Sequence, residues 1–375
     1  MPGFPDTYNL LIVITFSLTA FTVLLYLLYP VWLVVFASKK RINEKQTESP
    51  GAVSVILLSH NGKQYLPDKI NFLIRESACF KTFELIVIDD NSNDGSAELL
   101  TAFAANENIR VISNSKQKGI PYSMNLGIAN ARYDWVIFCD QRQELSDRIL
   151  ENIVEPLKYH HIGAVSGCIS SFDKRKDCSL LRKHENFLKI RESNAGSLIG
   201  VYGPLYAIKK QCYFPIPENI ILDDLYLSLR ILKSKQIALR EDCRIIDDNF
   251  CILYDYERAR RYLSGFLQIL GEKSLIRDLT LIQITMLIWH KYLRLTIPLL
   301  MALFYISLGV AVTSGPGCLI AFCALTIVAI LSVVPPGYGI NFRFKNLIRM
   351  NILYFAAFVK ITMEGLLRSI KKQLA

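Results

Sequence analysis

Two kinds of apolar pattern alternate along this chain. Residues 7–38 carry no charged side chain, and about 20 apolar residues suffice for a helix to cross a bilayer core. The pattern therefore predicts an N-terminal transmembrane helix over 7–38. A cleaved signal would carry its charge ahead of a shorter apolar run, whereas Lys39, Lys40 and Arg41 follow this one. A second charge-free stretch, 295–342, is interrupted by Thr313-Ser314-Gly315-Pro316-Gly317. Gly and Pro favour a tight turn there, so a transmembrane helical hairpin is expected over 295–336. The apolar stretch 352–359 is too short to cross and is bracketed by Arg349, Lys360 and Glu364. It predicts a C-terminal interfacial helix and basic tail over 337–375.

Between these segments the period changes. After a polar linker over 39–51 that ends in Pro50-Gly51, short apolar runs at 53–59, 83–88, 109–113 and 135–139 have the length and flanks of buried strands. Segments 66–76, 96–105 and 123–131 have helical length and spacing. Strands alternating with helices imply an α/β fold, a parallel sheet covered on both faces, over 52–256. Residues 257–294 read as interfacial amphipathic helices.

Composition supports the membrane reading: 51% of the 375 residues are hydrophobic, high for a soluble globular protein. The net charge of +10 comes from basic residues that flank apolar segments or stand in scattered pairs. Anionic headgroups and an anionic nucleotide suffice as partners, and nucleic acid is not required. Lys39–Arg41, then His290, Lys291 and Arg294, then Arg343, Lys345 and Arg349 fall on one side if one span precedes the middle domain and two follow it. The positive-inside rule makes that side the cytoplasm, as in a bacterial inner or plasma membrane. The nine cysteines show no paired metal spacing.

In α/β sheets ligands bind outside the carboxyl ends of the strands. Those ends carry His60-Asn61-Gly62, Asp89-Asp90-Asn91-Ser92-Asn93-Asp94-Gly95 and Asp140-Gln141-Arg142-Gln143. Any one of these could be an ordinary cap or turn. Together they mark one polar edge.

At these residues the sequence resembles the family 2 glycosyltransferases, which have a GT-A (Rossmann-like nucleotide-diphospho-sugar transferase) fold, across about residues 53–270. The segment 87–96 is similar to the family's Val-Asp-Asp-Gly-Ser-Thr-Asp-Gly-Ser. The resemblance gives Asp90 a contact to the base or ribose, with Asn61 beside it in the nucleotide-sugar site. Segment 119–127 is similar to Gly-Lys-Ala-x-Ala-Leu-Asn-x-Gly, with Ile120 where lysine is usual. Asp140-Gln141-Arg142 stands where the family has Asp-x-Asp, whose carboxylates hold Mg²⁺ or Mn²⁺ against the diphosphate. Here only the first carboxylate is kept. The segment looks like a branch reading Asp-Ala-Arg-Gln, and Ile221-Leu222-Asp223-Asp224-Leu225 matches the same branch. Arg142 then supplies part of the diphosphate neutralisation, and Asp140 holds either a divalent cation or the arginine itself. A salt bridge between the two, with no substrate role, is the alternative.

The resemblance makes Asp224 the general base of an inverting transfer. Asp223 orients it or caps a helix starting at Leu225; the alternative is that both are caps and nothing more. Gly200-Val201-Tyr202-Gly203-Pro204 looks like the acceptor-side segment, with Tyr202 placed to stack on a sugar and Gly203 letting backbone approach it; an ordinary strand and turn is the equal alternative. Arg258, Arg261 and Tyr262 stand where membrane-embedded members carry Gln-x-x-Arg-Trp. The arginines suit a diphosphate grip or anionic lipid, and Tyr262 an acceptor platform. The expectation is a membrane-anchored hexosyl- or N-acetylhexosaminyl-transferase that takes a nucleotide-diphospho-sugar donor and a lipid-linked or glycan acceptor. It would serve cell-surface or exopolysaccharide synthesis, with an export or polymerisation partner. A catalytically inactive membrane scaffold and a processive polysaccharide synthase are the competing readings.

Overall fold

The computed structural model describes residues 4–36, 51–170, 180–247, 256–310, 320–323, 325–327 and 345–374. The chain divides into two compact units. One comprises residues 33–249 and 269–283, the other residues 1–32, 250–268 and 284–375. The expected boundary at 256/257 cuts differently from this division, which returns 269–283 to the first unit.

The first unit is built on an eight-stranded sheet of order β3-β2-β1-β4-β7-β6-β8-β5. Strands β1 (Ala52–Ser59), β2 (Thr82–Asp89), β3 (Ile109–Ser113) and β4 (Trp135–Asp140) are mutually parallel. Both faces of β1, β2 and β4 are buried, which is why they read as largely apolar runs rather than alternating ones, whereas β3 at the sheet edge is mostly half-buried. On one face Val53, Val55, Leu57, Leu85 and Val87 meet Leu66, Ile70 and Leu73 of α2 (Leu66–Glu76). On the other, α4 (Ile120–Asn130) comes so close that a Cβ on Gly127 would lie 2.7 Å from Ile56 Cγ2. This helix starts three residues before the expected 123, because Pro121 suits its first turn. Helix α3 (Ser96–Phe103) stops two residues short of the expected 105.

The all-parallel expectation fails beyond β4. Strand β7 (Leu205–Lys209) is antiparallel to β4 and to β6 (Ile162–Ser170), while β8 (Gln236–Ile246) runs parallel to β6 and antiparallel to the two-residue β5 (Glu144–Leu145). Pairing direction depends on how the chain returns through α5 (Ile149–Val154) and α6 (Leu180–Asn194), and apolar periodicity does not encode that return. Helix α7 (Asp223–Leu232) precedes β8.

The second unit is helical. Helix α1 (Phe4–Phe36) contains Ile12–Val35, 24 residues long and apolar enough to cross a membrane; a signal sequence would present the same feature. Helix α8 (Tyr256–Gly271) begins in this unit; its last residues, α9 (Lys273–Ile276) and the start of α10 (Leu281–Met286) belong to the first unit, after which a π-helical stretch Leu287–Tyr292 continues directly into α11 (Leu293–Val310). The expected boundary at 294/295 therefore falls inside a helical run, bent by 48° between Leu281–Tyr292 and Leu295–Gly309. Helix α1 lies antiparallel to this run: Thr15 Oγ1 is 2.9 Å from Ser307 Oγ, Phe16 packs on Phe304, and the Tyr29 ring meets Trp289 edge-on at 5.6 Å. Residues 320–323 and 325–327 are helical and touch α11 through Tyr305, whose hydroxyl is 2.6 Å from Thr326 Oγ1. The expected turn at 313–317 and residues 328–344 lie outside the described residues. Helix α12 (Lys345–Leu374) absorbs the short apolar stretch 352–359 into 30 helical residues. It packs on α8 through Ala357, Ala259 and Leu263.

Candidate active site

Because β1, β2, β3 and β4 are neighbours with the same direction, the loops after Ser59, Asp89, Ser113 and Asp140 leave the sheet along one edge. Each carries polar side chains, and hydrogen bonds fasten the loops to one another. Asp90, 7% exposed, accepts from Asn114 Nδ2 at 2.7 Å, from the Lys118 N–H at 2.8 Å and from the Gly119 N–H at 2.7 Å. A carboxylate offers about four acceptor positions, so little capacity is left for a ligand. Asp90 chiefly shapes the 114–119 loop, where Gly119 sits at φ 88°, ψ 171°, a region that only glycine enters freely.

Asn61, at φ 48°, is similarly engaged: its Oδ1 accepts from the Asn93 N–H at 2.9 Å, and its Nδ2 lies 3.2 Å from His60 Nε2. His60 Nδ1 faces the Asp90 carbonyl at 2.9 Å and must be the protonated nitrogen, which leaves Nε2 to accept from the Asn61 and Gln117 amides.

The turn after β4 holds the charges. Gln141 is locked in place: Ser59 Oγ donates to its Oε1 at 2.7 Å and its Nε2 donates to the His60 carbonyl at 2.9 Å. Gly62 makes this possible, since a Cβ there would fall 1.8 Å from Gln141 Oε1. Lys69, buried on the core face of α2, donates to the Gln143 carbonyl. The buried Gln143 Oε1 has no hydrogen-bond partner among the described residues. Arg142 is exposed and makes no ion pair among the described residues, so the Asp140–Arg142 salt bridge does not form. Asp140 is half-buried. Burial pushes its carboxyl up to about 6; Arg142 and Lys69 oppose the rise, and the Asp247 and Asp224 charges add to it. Asp224 and Asp247 thus both lie within electrostatic reach of Asp140. Neither Asp247 nor Lys69 was expected from the sequence. Both left a signal there, Asp247 as another carboxylate at a strand end and Lys69 as a cation in the apolar stripe of its helix.

Helix α7 begins at Asp223, with Leu222 at its cap position. The expectation that Asp223 caps a helix starting at Leu225 is corrected: Asp224 Oδ1 takes the Leu225 N–H at 2.7 Å, and carboxylates in a first turn complement the helix dipole. A Cβ on Gly203 would lie 3.5 Å from Asp224 Oδ2, so that oxygen faces the 200–204 segment. Ser228 ties that segment to the helix by accepting from the Val201 N–H at 3.1 Å and donating to the Asp224 carbonyl. Tyr202 does not offer a stacking face. It is 8% exposed, the Lys189 ammonium sits 3.6 Å from its ring centroid, and its hydroxyl donates to Asn186 Oδ1. Arg258, Arg261 and Tyr262 lie on α8 in the helical unit. There the Arg258 guanidinium stands over the Tyr262 ring at 5.6 Å and Arg261 is exposed.

Among the described residues no three His, Cys, Asp or Glu side chains converge as a metal cluster. A divalent cation of the Mg²⁺ kind often uses one or two carboxylates and takes its remaining oxygens from phosphates and water. Asp140, whose carboxylate accepts no hydrogen bond from the described residues, fits that more limited role.

Residues 54–225, just under half of the chain, match the family described as Glycosyl transferase family 2. Glycosyltransferase GlyG of Streptococcus pneumoniae is 23% identical over 123 residues, 32% of this chain and 40% of GlyG. The poly-beta-1,6-N-acetyl-D-glucosamine synthase of Staphylococcus epidermidis is 23% identical over 191 residues, 48% of this chain and 45% of the synthase. The chain thus spans less than half the length of either relative. Mannosyltransferase PcManGT from Pyrobaculum calidifontis, solved with GDP-Man and Mn²⁺, has the same fold, with a TM-score of 0.73 at 21% identity over 93% of this chain and 98% of that one.

Proposed function

We propose that this chain is an inverting glycosyltransferase that moves a sugar from a nucleotide-diphosphate donor to a lipid-linked or polysaccharide acceptor at the cytoplasmic face of a membrane. The observation that carries the reading is the gathering of Arg142, Lys69, Asp224 and Asp247 within electrostatic reach of Asp140, at the end of β4 on the edge where the strands end. The donor class is supported by the family match and by the GDP-Man held in PcManGT. The polysaccharide acceptor is supported by the synthase among the relatives.

Asp224 divides its two oxygens between tasks. Oδ1 is held by the Leu225 N–H, which fixes the carboxylate, and Oδ2 faces Gly203. In the proposed step Oδ2 takes the acceptor hydroxyl's proton as that oxygen bonds to the anomeric carbon. The bond to the diphosphate oxygen breaks on the opposite face, and the nucleoside diphosphate leaves with the electron pair. Arg142, free of ion pairs among the described residues, offers a guanidinium fork to the leaving phosphates. Asp140 would hold a divalent cation, which when bound neutralises further charge on the diphosphate. Exposed apolar side chains along α1, such as Phe16, Phe21, Leu27 and Val35, together with the helices around α11, form the proposed membrane anchor.

Asp224→Asn keeps the shape and removes the base. Full-length protein incubated with radiolabelled UDP- and GDP-sugars should lose transfer by at least a thousandfold while nucleotide binding persists. Transfer within tenfold of wild type would exclude Asp224 as the base.

A further inference from the structure

Helix α7 carries more than the carboxylates of its first turn. Asp223, Tyr226 and Arg230 stand at i, i+3 and i+7 and share one face, while Leu225, Ser228, Leu229 and Leu232 are buried. By the rise of 1.5 Å per residue, Arg230 lies roughly 10 Å along the axis from Asp223. The same loop meets both ends of this face. Tyr213, whose phenol is pushed up by burial with the Asp223 charge added, is followed by Phe214, and the Arg230 guanidinium stands 4.7 Å from the Phe214 ring centroid.

That arginine has no acidic partner of its own among the described residues. Its Nε is buried without a hydrogen bond there, and Asp278, the carboxylate that senses its charge, is taken by Lys233 at 2.7 Å. A guanidinium held over an aromatic ring, with no hydrogen bond from its donors among the described residues, offers the fork that suits a phosphate. Its surroundings are both basic and apolar. Residues 269–283 are tied to α7 by Lys233 Nζ, which donates to the Ser274 carbonyl at 2.6 Å, and by Gln283 Nε2, which donates to the Leu232 carbonyl at 3.1 Å. This segment exposes Lys273 and Arg277 and leaves Leu270, Leu281 and Ile282 exposed as well. Cations beside uncovered aliphatic side chains match a phosphate carried on an apolar chain.

We infer that Arg230, stacked on Phe214, is an acceptor-side subsite for the phosphate ester of a lipid-linked substrate, an inference that rests on the transferase reading above. The test uses the full chain in neutral-detergent micelles. UDP and GDP binding is measured first, so a failure of the transferase reading appears there as an absence of nucleotide binding. With the donor subsite saturated, farnesyl phosphate, farnesol and inorganic phosphate are titrated by calorimetry. Wild type should bind farnesyl phosphate at least tenfold more tightly than farnesol, Arg230→Gln should erase that preference, and Arg230→Lys, which keeps the charge but loses the fork, should retain part of it. Equal binding of farnesyl phosphate and farnesol by wild type, or an unchanged preference in Arg230→Gln, overturns the inference. Inorganic phosphate binding as tightly as farnesyl phosphate would overturn its lipid half. If Arg230→Gln does not melt cooperatively, the wild-type preference and the partial preference of Arg230→Lys decide the matter.

Discussion

Replacing Asp140 by Asn should stabilise the protein while stopping its chemistry. The side chain keeps its volume and loses a charge that the fold holds at a cost. The carboxyl is raised from its ordinary 3.8 to about 6, by burial first and by the Asp247 and Asp224 charges after it, against the pull of Arg142 and Lys69. That interval of about two pH units is worth ~3 kcal/mol at 1.36 kcal/mol per unit, reduced to ~2 kcal/mol because part of the side chain meets solvent. Between about pH 4 and about pH 6 the native carboxyl holds a proton that the unfolded chain has lost. Wild-type stability therefore falls as pH rises through that window and stays lower above it. The Asn variant is spared this loss. Its advantage should be full at pH 7.5, about 5 °C in Tm for a domain of this size, and should vanish below about pH 4. Thermal melts of both proteins in EDTA at several pH values, followed by near-UV circular dichroism, give the comparison. An Asn variant that melts no higher than wild type at pH 7.5, or a difference that ignores pH, would refute the assignment of Asp140 as a strained functional carboxylate.

Other substitutions probe the supports of the site. Glu84 is buried at the opposite end of β2 and accepts from Ser54 Oγ and the Arg132 N–H, both at 2.6 Å, with Arg110 Nη2 at 3.4 Å. Glu84→Ala strands those donors, and urea unfolding should show a loss of ~3 kcal/mol. Gly62→Ala places a methyl where Gln141 Oε1 now sits; the protein should fold, with nucleotide affinity reduced at least tenfold in equilibrium binding. Gly203→Ala meets only an ordinary contact with Asp224 Oδ2, so melting should be unchanged while kcat falls tenfold or more as the methyl occupies the acceptor's approach.

Three of the four strands that carry the site were legible because they are central: β1, β2 and β4 are buried on both faces, and that leaves a largely apolar run bounded by polar residues that a reading of periodicity finds, while the edge strand β3 is mostly half-buried and was found from its short apolar run. The antiparallel half of the sheet was not legible. β5 has two residues, β6 and β8 are offset by register shifts, and strand direction is set by connections rather than by the strands themselves. The polar residues at the strand ends were located from sequence, but their individual tasks were not. Asp90 and Asn61 stood out as ligand contacts, yet the fold spends most of their hydrogen-bonding capacity on bracing neighbouring loops. Tyr202 had the composition of a sugar platform and proved to be a buried ring beneath Lys189.

The sequence by itself determined the apolar helix at the N-terminus, the parallel strand core and the polar edge at the carboxyl ends of its strands, because burial on both faces and chain length leave a one-dimensional record. Tertiary structure alone decided which charges act on one another. Asp140, Lys69, Asp224 and Asp247 come from four separate stretches of chain, and their electrostatics depend on distances across the sheet edge that no spacing along the chain contains. The pairing of Arg230 with Phe214 was decided in the same way, since a ring from the preceding loop and a guanidinium from the helix meet only once α7 has docked.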